Sequence, residues 1–96
     1  MNNSEYILVS QLCKHYAVEQ SLLYDLQENG LLEITTIKSE DFLHQDCISK
    51  FEKILRIRND LKVNVEQIDL IIHLLDKIEY LQNELNLVKN RLMIYE

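Results

Sequence analysis

The side chains in this 96-residue chain that could do chemistry are few: Cys13 and Cys47, His15, His44 and His73, and 16 carboxylates against 10 Lys and Arg. Cys13 and His15 are donor types a zinc site uses. Two residues apart on a helix, however, they are turned about 200° from each other and share no face. No second pair stands at ligand spacing, so neither a metal nor any other cofactor is expected. His44 and His73 lie in no motif and read as ordinary, partly exposed histidines. There is no glycine-rich phosphate loop and no nucleophile elbow, and the carboxylates are scattered like a solvated surface, not paired as acid and base. The chain is therefore expected not to be an enzyme.

Charge carries more information than any motif. Residues 1–49 hold Lys14 and Lys38 against eight carboxylates, whereas residues 50–96 hold eight charges of each sign, so the whole net charge of −6 lies in the N-terminal half. A field of that sign repels phosphate backbones and favours basic partners. The opening MNNSEY has no basic n-region and leads into no long apolar core, which argues against a secretory signal. No apolar run approaches the roughly eighteen residues that a membrane span needs. With two cysteines and no sign of export, reduced thiols in a cytoplasmic protein are expected.

The elements that must position these groups are mostly helical, because one glycine and no proline leave almost no punctuation. After the apolar Tyr6-Ile7-Leu8-Val9, Ser10 stands as N-cap for a helix over roughly Gln11 to Tyr16. A second helix runs from about Gln20 to Glu28 with Leu22, Leu23 and Leu26 inward. Asn29-Gly30 stops it, Gly30 supplying the left-handed residue. Two short helices and a tight turn make a helix-turn-helix unit. Leu31 to Ile37 reads as a strand turned back by Lys38-Ser39-Glu40 into a short Phe42-Leu43 strand, a hairpin wing. A third helix, capped by Asp46, extends through Leu61 with Ile48, Phe51, Ile54, Leu55 and Leu61 on one face and Lys50, Lys53, Arg56, Arg58 and Lys62 on the other. Asn64 and Gln67 then form a capping box that opens a last helix. Residues 1–62 are one lobe and residues 63–96 a separate helical element.

In that last helix Ile71, Leu74, Ile78, Leu81, Leu85, Val88, Leu92 and Tyr95 fall at alternating spacings of three and four, an unbroken a/d heptad seam. The chain has no second heptad stretch to cover it, so the seam predicts a coiled-coil homodimer. Tyr80, Leu87 and Ile94 recur at the c position as a second apolar stripe, fitted to the partner's third helix or lobe. Flanking charges fit either orientation: Glu84–Lys89 and Arg91–Glu96 in a parallel pair, Glu84 with Lys77 or Arg91 in an antiparallel one.

In this order, the helix-turn-helix, wing, third helix and capped dimerising helix resemble the MerR-type winged-helix regulators. Of that family's pattern around the second helix, Val18, Leu23, Gly30, Leu31 and Leu32 match, all packing or turn positions. Tyr24 replaces an arginine, Leu26 and Gln27 replace Tyr and Glu, and Asp41 replaces a basic residue late in the wing. The scaffold is kept while the phosphate-contacting charges are gone.

One branch that this chain resembles in that respect is the CbpM family of chaperone modulators. Ser10-Gln11-Leu12-Cys13-Lys14-His15, the Glu28-to-Glu33 turn, Arg56-Ile57-Arg58-Asn59-Asp60-Leu61, Leu74-Leu75-Asp76-Lys77-Ile78 and Lys89-Asn90-Arg91-Leu92 carry that resemblance over nearly the whole chain. It implies an antiparallel dimer that binds the J-domain of a DnaJ-type co-chaperone in competition with DnaK. The face of the J-domain in question is basic, which the acidic lobe complements. The residues expected at that contact are Tyr24, Asp25, Glu28 and Asp41, which stand where DNA-facing groups would be. The alternative is a MerR-like DNA-binding transcriptional regulator; the basic face of the third helix favours it and the acidic lobe opposes it.

Overall fold

The computed structural model describes residues 5–95, the side chain of Tyr95 excepted. That side chain and Glu96, both assigned to helix pairing above, lie outside the described residues.

Tyr6–Leu8 is a strand, β1, and the chain passes straight from it into helix α1, Val9–Tyr16. Ser10 is therefore not the cap: Leu8 holds that position in an extended conformation, and no side chain bonds the first turn. The strand is held extended by pairing with a later segment, and the helix begins where that pairing ends. α1 stops at Ala17, which is left-handed with φ 56°, and the Val18 N–H returns to the Cys13 carbonyl at 2.9 Å.

Helix α2, Gln20–Glu28, ends through Gly30 at φ 75°. The Gly30 N–H donates to the Gln27 carbonyl at 3.0 Å and the Leu31 N–H to the Leu26 carbonyl at 2.8 Å. These two bonds form a Schellman stop, and its customary apolar contact is made by Leu26 and Leu31, both buried. Leu31 and Leu32 are drawn into the core by this stop, so strand β2 is shorter than expected, Ile34–Ile37. Lys38 and Ser39 both have positive φ, 51° and 67°, the signature of a two-residue type I′ hairpin turn. Strand β3, Glu40–His44, is longer than the Phe42-Leu43 expected.

The sheet has the order β1-β3-β2 with both pairings antiparallel. Leu43 sits between Ile7 and Ile34, and Thr36 lies opposite Asp41. The wing is thus a three-stranded sheet, not a bare hairpin. A short 3-10 helix, Gln45–Cys47, leads into α3, Ile48–Leu61. Asp46 is not the cap of α3: it lies inside the 3-10 turn, whose own cap is His44, with Nδ1 accepting the Asp46 N–H at 3.1 Å, and Cys47 holds the N-cap position of α3 with no side-chain bond.

α3 ends at left-handed Lys62, φ 56°, and Leu61, in the last turn beside that stop, is exposed and does not join Phe51, Ile54 and Leu55 in the core. Asn64 and Gln67 form the reciprocal box: the Asn64 N–H donates to Gln67 Oε1 at 3.0 Å and the Gln67 N–H to Asn64 Oδ1 at 2.8 Å. They open helix α4, Val65–Tyr95, 31 residues and roughly 46 Å long at 1.5 Å per residue.

Leu23, Leu26, Leu43, Phe51, Ile54 and Ile68 are fully buried and join α2, β3, α3 and the start of α4 in one core. Tyr16 closes its edge, with its ring edge-on to Phe51 at 5.3 Å. Ile68 and Ile72 make the first turns of α4 part of that core; from Leu74 onward the helix leaves it, giving a particle 62 × 36 × 21 Å in extent. No described helix is long and apolar enough to cross a membrane.

Candidate partner-binding surface

Burying Leu22, Leu23 and Leu26 turns the opposite side of α2 outward, because residues three and four apart share a helix face. That side carries Gln20, Ser21, Tyr24, Asp25 and Glu28, all exposed. Three of the four contact residues expected from the sequence therefore lie together on one face, and the fourth is brought to them by the wing. The Tyr24 hydroxyl donates to Asp41 Oδ2, and the Thr36 hydroxyl donates to Asp41 Oδ1 at 2.7 Å. One carboxylate thereby ties α2 to both strands of the hairpin.

These two bonds stabilise the anion and hold the Asp41 carboxyl below its ordinary range, Tyr24 contributing most. The same bond pushes the Tyr24 hydroxyl above its ordinary value, reinforced by partial desolvation and the nearby negative charge. A second tie runs from Gln27, whose Oε1 accepts the Ile34 N–H at 2.7 Å and starts β2. Neither Thr36 nor Gln27 stood out in the sequence. The Thr36–Asp41 pair becomes visible only once the strand register is known, and Gln27 marked only a departure from the family pattern.

Away from the wing, Asp25 and Glu28 also line a cleft of about 980 Å³ between α2 and the corner joining α3 to α4. Glu19 and Glu66 also border the cleft, as do Arg58 of α3 and Lys62, its C-terminal cap. Two of the cations on the basic face of α3 thus line the same cleft as carboxylates of the chain. Lys50, Lys53 and Arg56 stay on the exposed outer side.

Cys13 is free and buried, and burial pushes its thiol up, away from the reactive thiolate; Cys47 is free and half-buried. Among the described residues no three His, Cys, Asp or Glu side chains converge as metal ligands. His44 lies 3.9 Å from Glu5 and 3.4 Å from Asp46, with Tyr6 edge-on at 5.0 Å, and His73 bonds the Asp69 carbonyl one turn back.

The architecture is that of a winged helix-turn-helix lobe on a long helix, and over residues 7–90 the chain matches the model of the MerR HTH family regulatory protein. The chain belongs to the MerR helix-turn-helix family. No curated protein matches it. Within this MerR-family chain, Tyr24 holds the place of the arginine in the family pattern. Its attachment to Asp41 makes the tip of that face acidic and aromatic where the pattern is basic. Leu26, at the pattern's tyrosine, is fully buried and simply completes the core.

On α4 the seam residues Leu74, Ile78, Leu81, Leu85, Val88 and Leu92 are each between 50% and 58% exposed, and Ile71 is half-buried. Tyr80, Leu87 and Ile94 form the parallel stripe, at 63%, 51% and 78%. So long a run of apolar side chains is far more than an isolated helix face ordinarily leaves in water.

Proposed function

We propose that this MerR-family chain is a non-enzymatic, cytoplasmic homodimer that binds the J-domain of a DnaJ-type co-chaperone and blocks its access to DnaK. One observation carries the proposal: the outward face of α2 bears Asp25 and Glu28 and no cation, and its one aromatic side chain, Tyr24, is tied to a further carboxylate, Asp41. A basic partner surface gains attraction from all three anions, and Tyr24 offers an amphipathic anchor between them. The exposed a/d seam of α4 supports the homodimer. The family resemblance makes the helix pair antiparallel.

Binding of a purified J-domain, followed by stopped-flow fluorescence, tests this. Asp25→Lys and Glu28→Lys should slow association and leave dissociation nearly unchanged, since exposed charges act chiefly on encounter. Unchanged kinetics in both variants would remove the assignment of this face.

A second function has the family match itself in its favour: a DNA-binding transcriptional regulator. Phosphate contacts release counterions, so such binding weakens steeply as salt rises. Retardation of DNA at low salt, lost at physiological salt, would support the regulator; absence of retardation at any salt would eliminate it.

A further inference from the structure

We propose that the Asn29–Gly30 bond is a deamidation site gated by the helix stop it belongs to. It is inert while the end of α2 is closed, and it converts to aspartate and isoaspartate when that end opens. The proposal goes beyond the partner-binding reading and does not depend on it.

Gly30 is the sole glycine, so Asn29 is the one asparagine followed by a residue without a side chain. Both residues are exposed, and nothing stands within 4 Å of where a Gly30 Cβ would be. The Gly30 nitrogen is therefore unshielded, and the reaction needs no reagent but water. That nitrogen gives its proton to the solvent and bonds to Asn29 Cγ; the Cγ–Nδ2 bond breaks, and ammonia leaves behind a cyclic succinimide. Water then opens the ring. Attack at Cγ releases the Gly30 nitrogen and gives aspartate, whereas attack at the main-chain carbonyl carbon of residue 29 gives isoaspartate. The balance in either case is one water taken up and one ammonia lost.

The closed stop obstructs each part of that step. The Gly30 N–H donates to the Gln27 carbonyl at 3.0 Å, so the nucleophile is engaged elsewhere. Asn29 Nδ2 donates to the Asp25 carbonyl at 2.9 Å, the same oxygen that accepts the Asn29 N–H at 3.1 Å. The carboxamide is thus folded back on the last turn of α2. The backbone angle opposes closure as well. At ψ 6° the Gly30 nitrogen eclipses the Asn29 nitrogen, and the Cβ that carries the carboxamide is about 120° away, the spacing of substituents on a tetrahedral carbon. Closing the ring requires that rotation, and the rotation pulls the Gly30 and Leu31 N–H groups off their acceptors. It is resisted by the Leu31 bond to the Leu26 carbonyl at 2.8 Å and by the burial of both leucines. A stop at a helix end opens locally, more often than the whole core unfolds.

Conversion changes the lobe. Either product loses the Nδ2 donor and places a new carboxylate at the C-terminus of α2, where the helix dipole disfavours it. Isoaspartate also lengthens the main chain by one carbon, so the Leu31 bond to Leu26 cannot keep its register. Asn29 lines the same cleft as Asp25 and Glu28, which gains a further anion.

The test incubates the full chain in mildly alkaline buffer, folded and in urea above its unfolding midpoint. Peptide mass mapping follows residue 29 and separates aspartate from isoaspartate. The folded chain should convert at least ten-fold more slowly, and the ratio of the two rates should equal the opening constant of the Gly30 amide, measured by hydrogen exchange. Leu31→Ala removes the apolar clasp and should raise the folded rate several-fold toward the unfolded one. Should that variant fail to fold, the wild-type ratio decides alone. Equal rates in the folded and unfolded chain, no conversion in the unfolded chain, or a folded rate that departs from the Gly30 opening overturns the proposal.

Discussion

The hydroxyl of Tyr24 in the second helix donates to the carboxylate of Asp41 in the wing, 17 residues away in sequence, and this contact ties the helix to the wing. Both groups are on the surface, so the bond contributes orientation more than global stability. Tyr24→Phe should leave the fold intact and accelerate amide exchange at Thr36 and its wing neighbours, measured by hydrogen exchange. The Asp41→Asn variant should do the same and also free the Thr36 hydroxyl.

The pH dependence of that contact has a defined sign at each end. Asp41 titrates below its unfolded value, so its contribution is fully present above the ordinary carboxylate range and is lost as pH falls through the lowered value. Tyr24 titrates above its unfolded value, so its contribution is fully present below about pH 10 and disappears as pH rises through the raised value. The difference in tyrosinate absorbance between wild type and Tyr24→Phe should therefore have its midpoint above that of a free tyrosine. A midpoint at the ordinary value would show that the bond to Asp41 does not persist in solution.

Local signals made much of this lobe legible in advance. Leu22, Leu23 and Leu26 with the Asn29-Gly30 stop marked α2 to the residue, and Asn64 with Gln67 marked the start of α4, because both depend on neighbours within a single turn. β1 was not legible as a strand. It is three residues long and exists only through pairing with Phe42–His44, more than thirty residues downstream. Ser10 failed as a cap for the same reason, since β1 runs straight into α1, whereas Asp46 failed because a 3-10 turn stands between β3 and α3. At the candidate site the identity of Tyr24, Asp25, Glu28 and Asp41 was readable, but the division between the Tyr24–Asp41 tie and the cleft beside Asp25 and Glu28 needed the tertiary structure.

Two helix stops of the lobe use the same left-handed backbone with opposite residue choices. Gly30, at φ 75°, has nothing within 4 Å of where a Cβ would stand, so Gly30→Ala meets no clash and should cost only the conformational penalty, about 1–2 kcal/mol. Ala17 already bears that penalty at φ 56°. Ala17→Gly should be stabilising, by up to about 1 kcal/mol after the added flexibility of the unfolded chain is subtracted. Urea denaturation of the two variants should thus move the midpoint in opposite directions.

The capping box should be felt at the junction of the lobe with α4. Replacing Asn64 with alanine removes the acceptor for the Gln67 N–H and should cost about 1 kcal/mol. The loss should appear as increased exchange at Glu66 and Gln67 and as a lower melting temperature. Asn64→Asp keeps an acceptor beside the helix N-terminus and should retain most of the stability. Equal losses in the two variants would mean that the amide side chain acts through something other than the cap.

The last prediction concerns the part of α4 beyond Ile72. Leu81 and Leu85 are 55% and 53% exposed, midway along a seam that no other part of the described chain covers. Burying a leucine fully stabilises by about 1.5–3 kcal/mol, and Leu81 and Leu85, about half of whose surface is still open, each keep roughly half of that to contribute to association through this face. Leu81→Asp with Leu85→Asp reverses that gain and adds the cost of confining charge at the interface. Sedimentation should then give a monomer where the wild type gives a dimer. The helical signal at residues 73–94 should also fall, because a projecting helix without a partner loses the packing that holds it. An intact dimer in the double variant would show that the heptad seam is not the surface through which two copies meet, and the Tyr80, Leu87 and Ile94 stripe would become the face to mutate next.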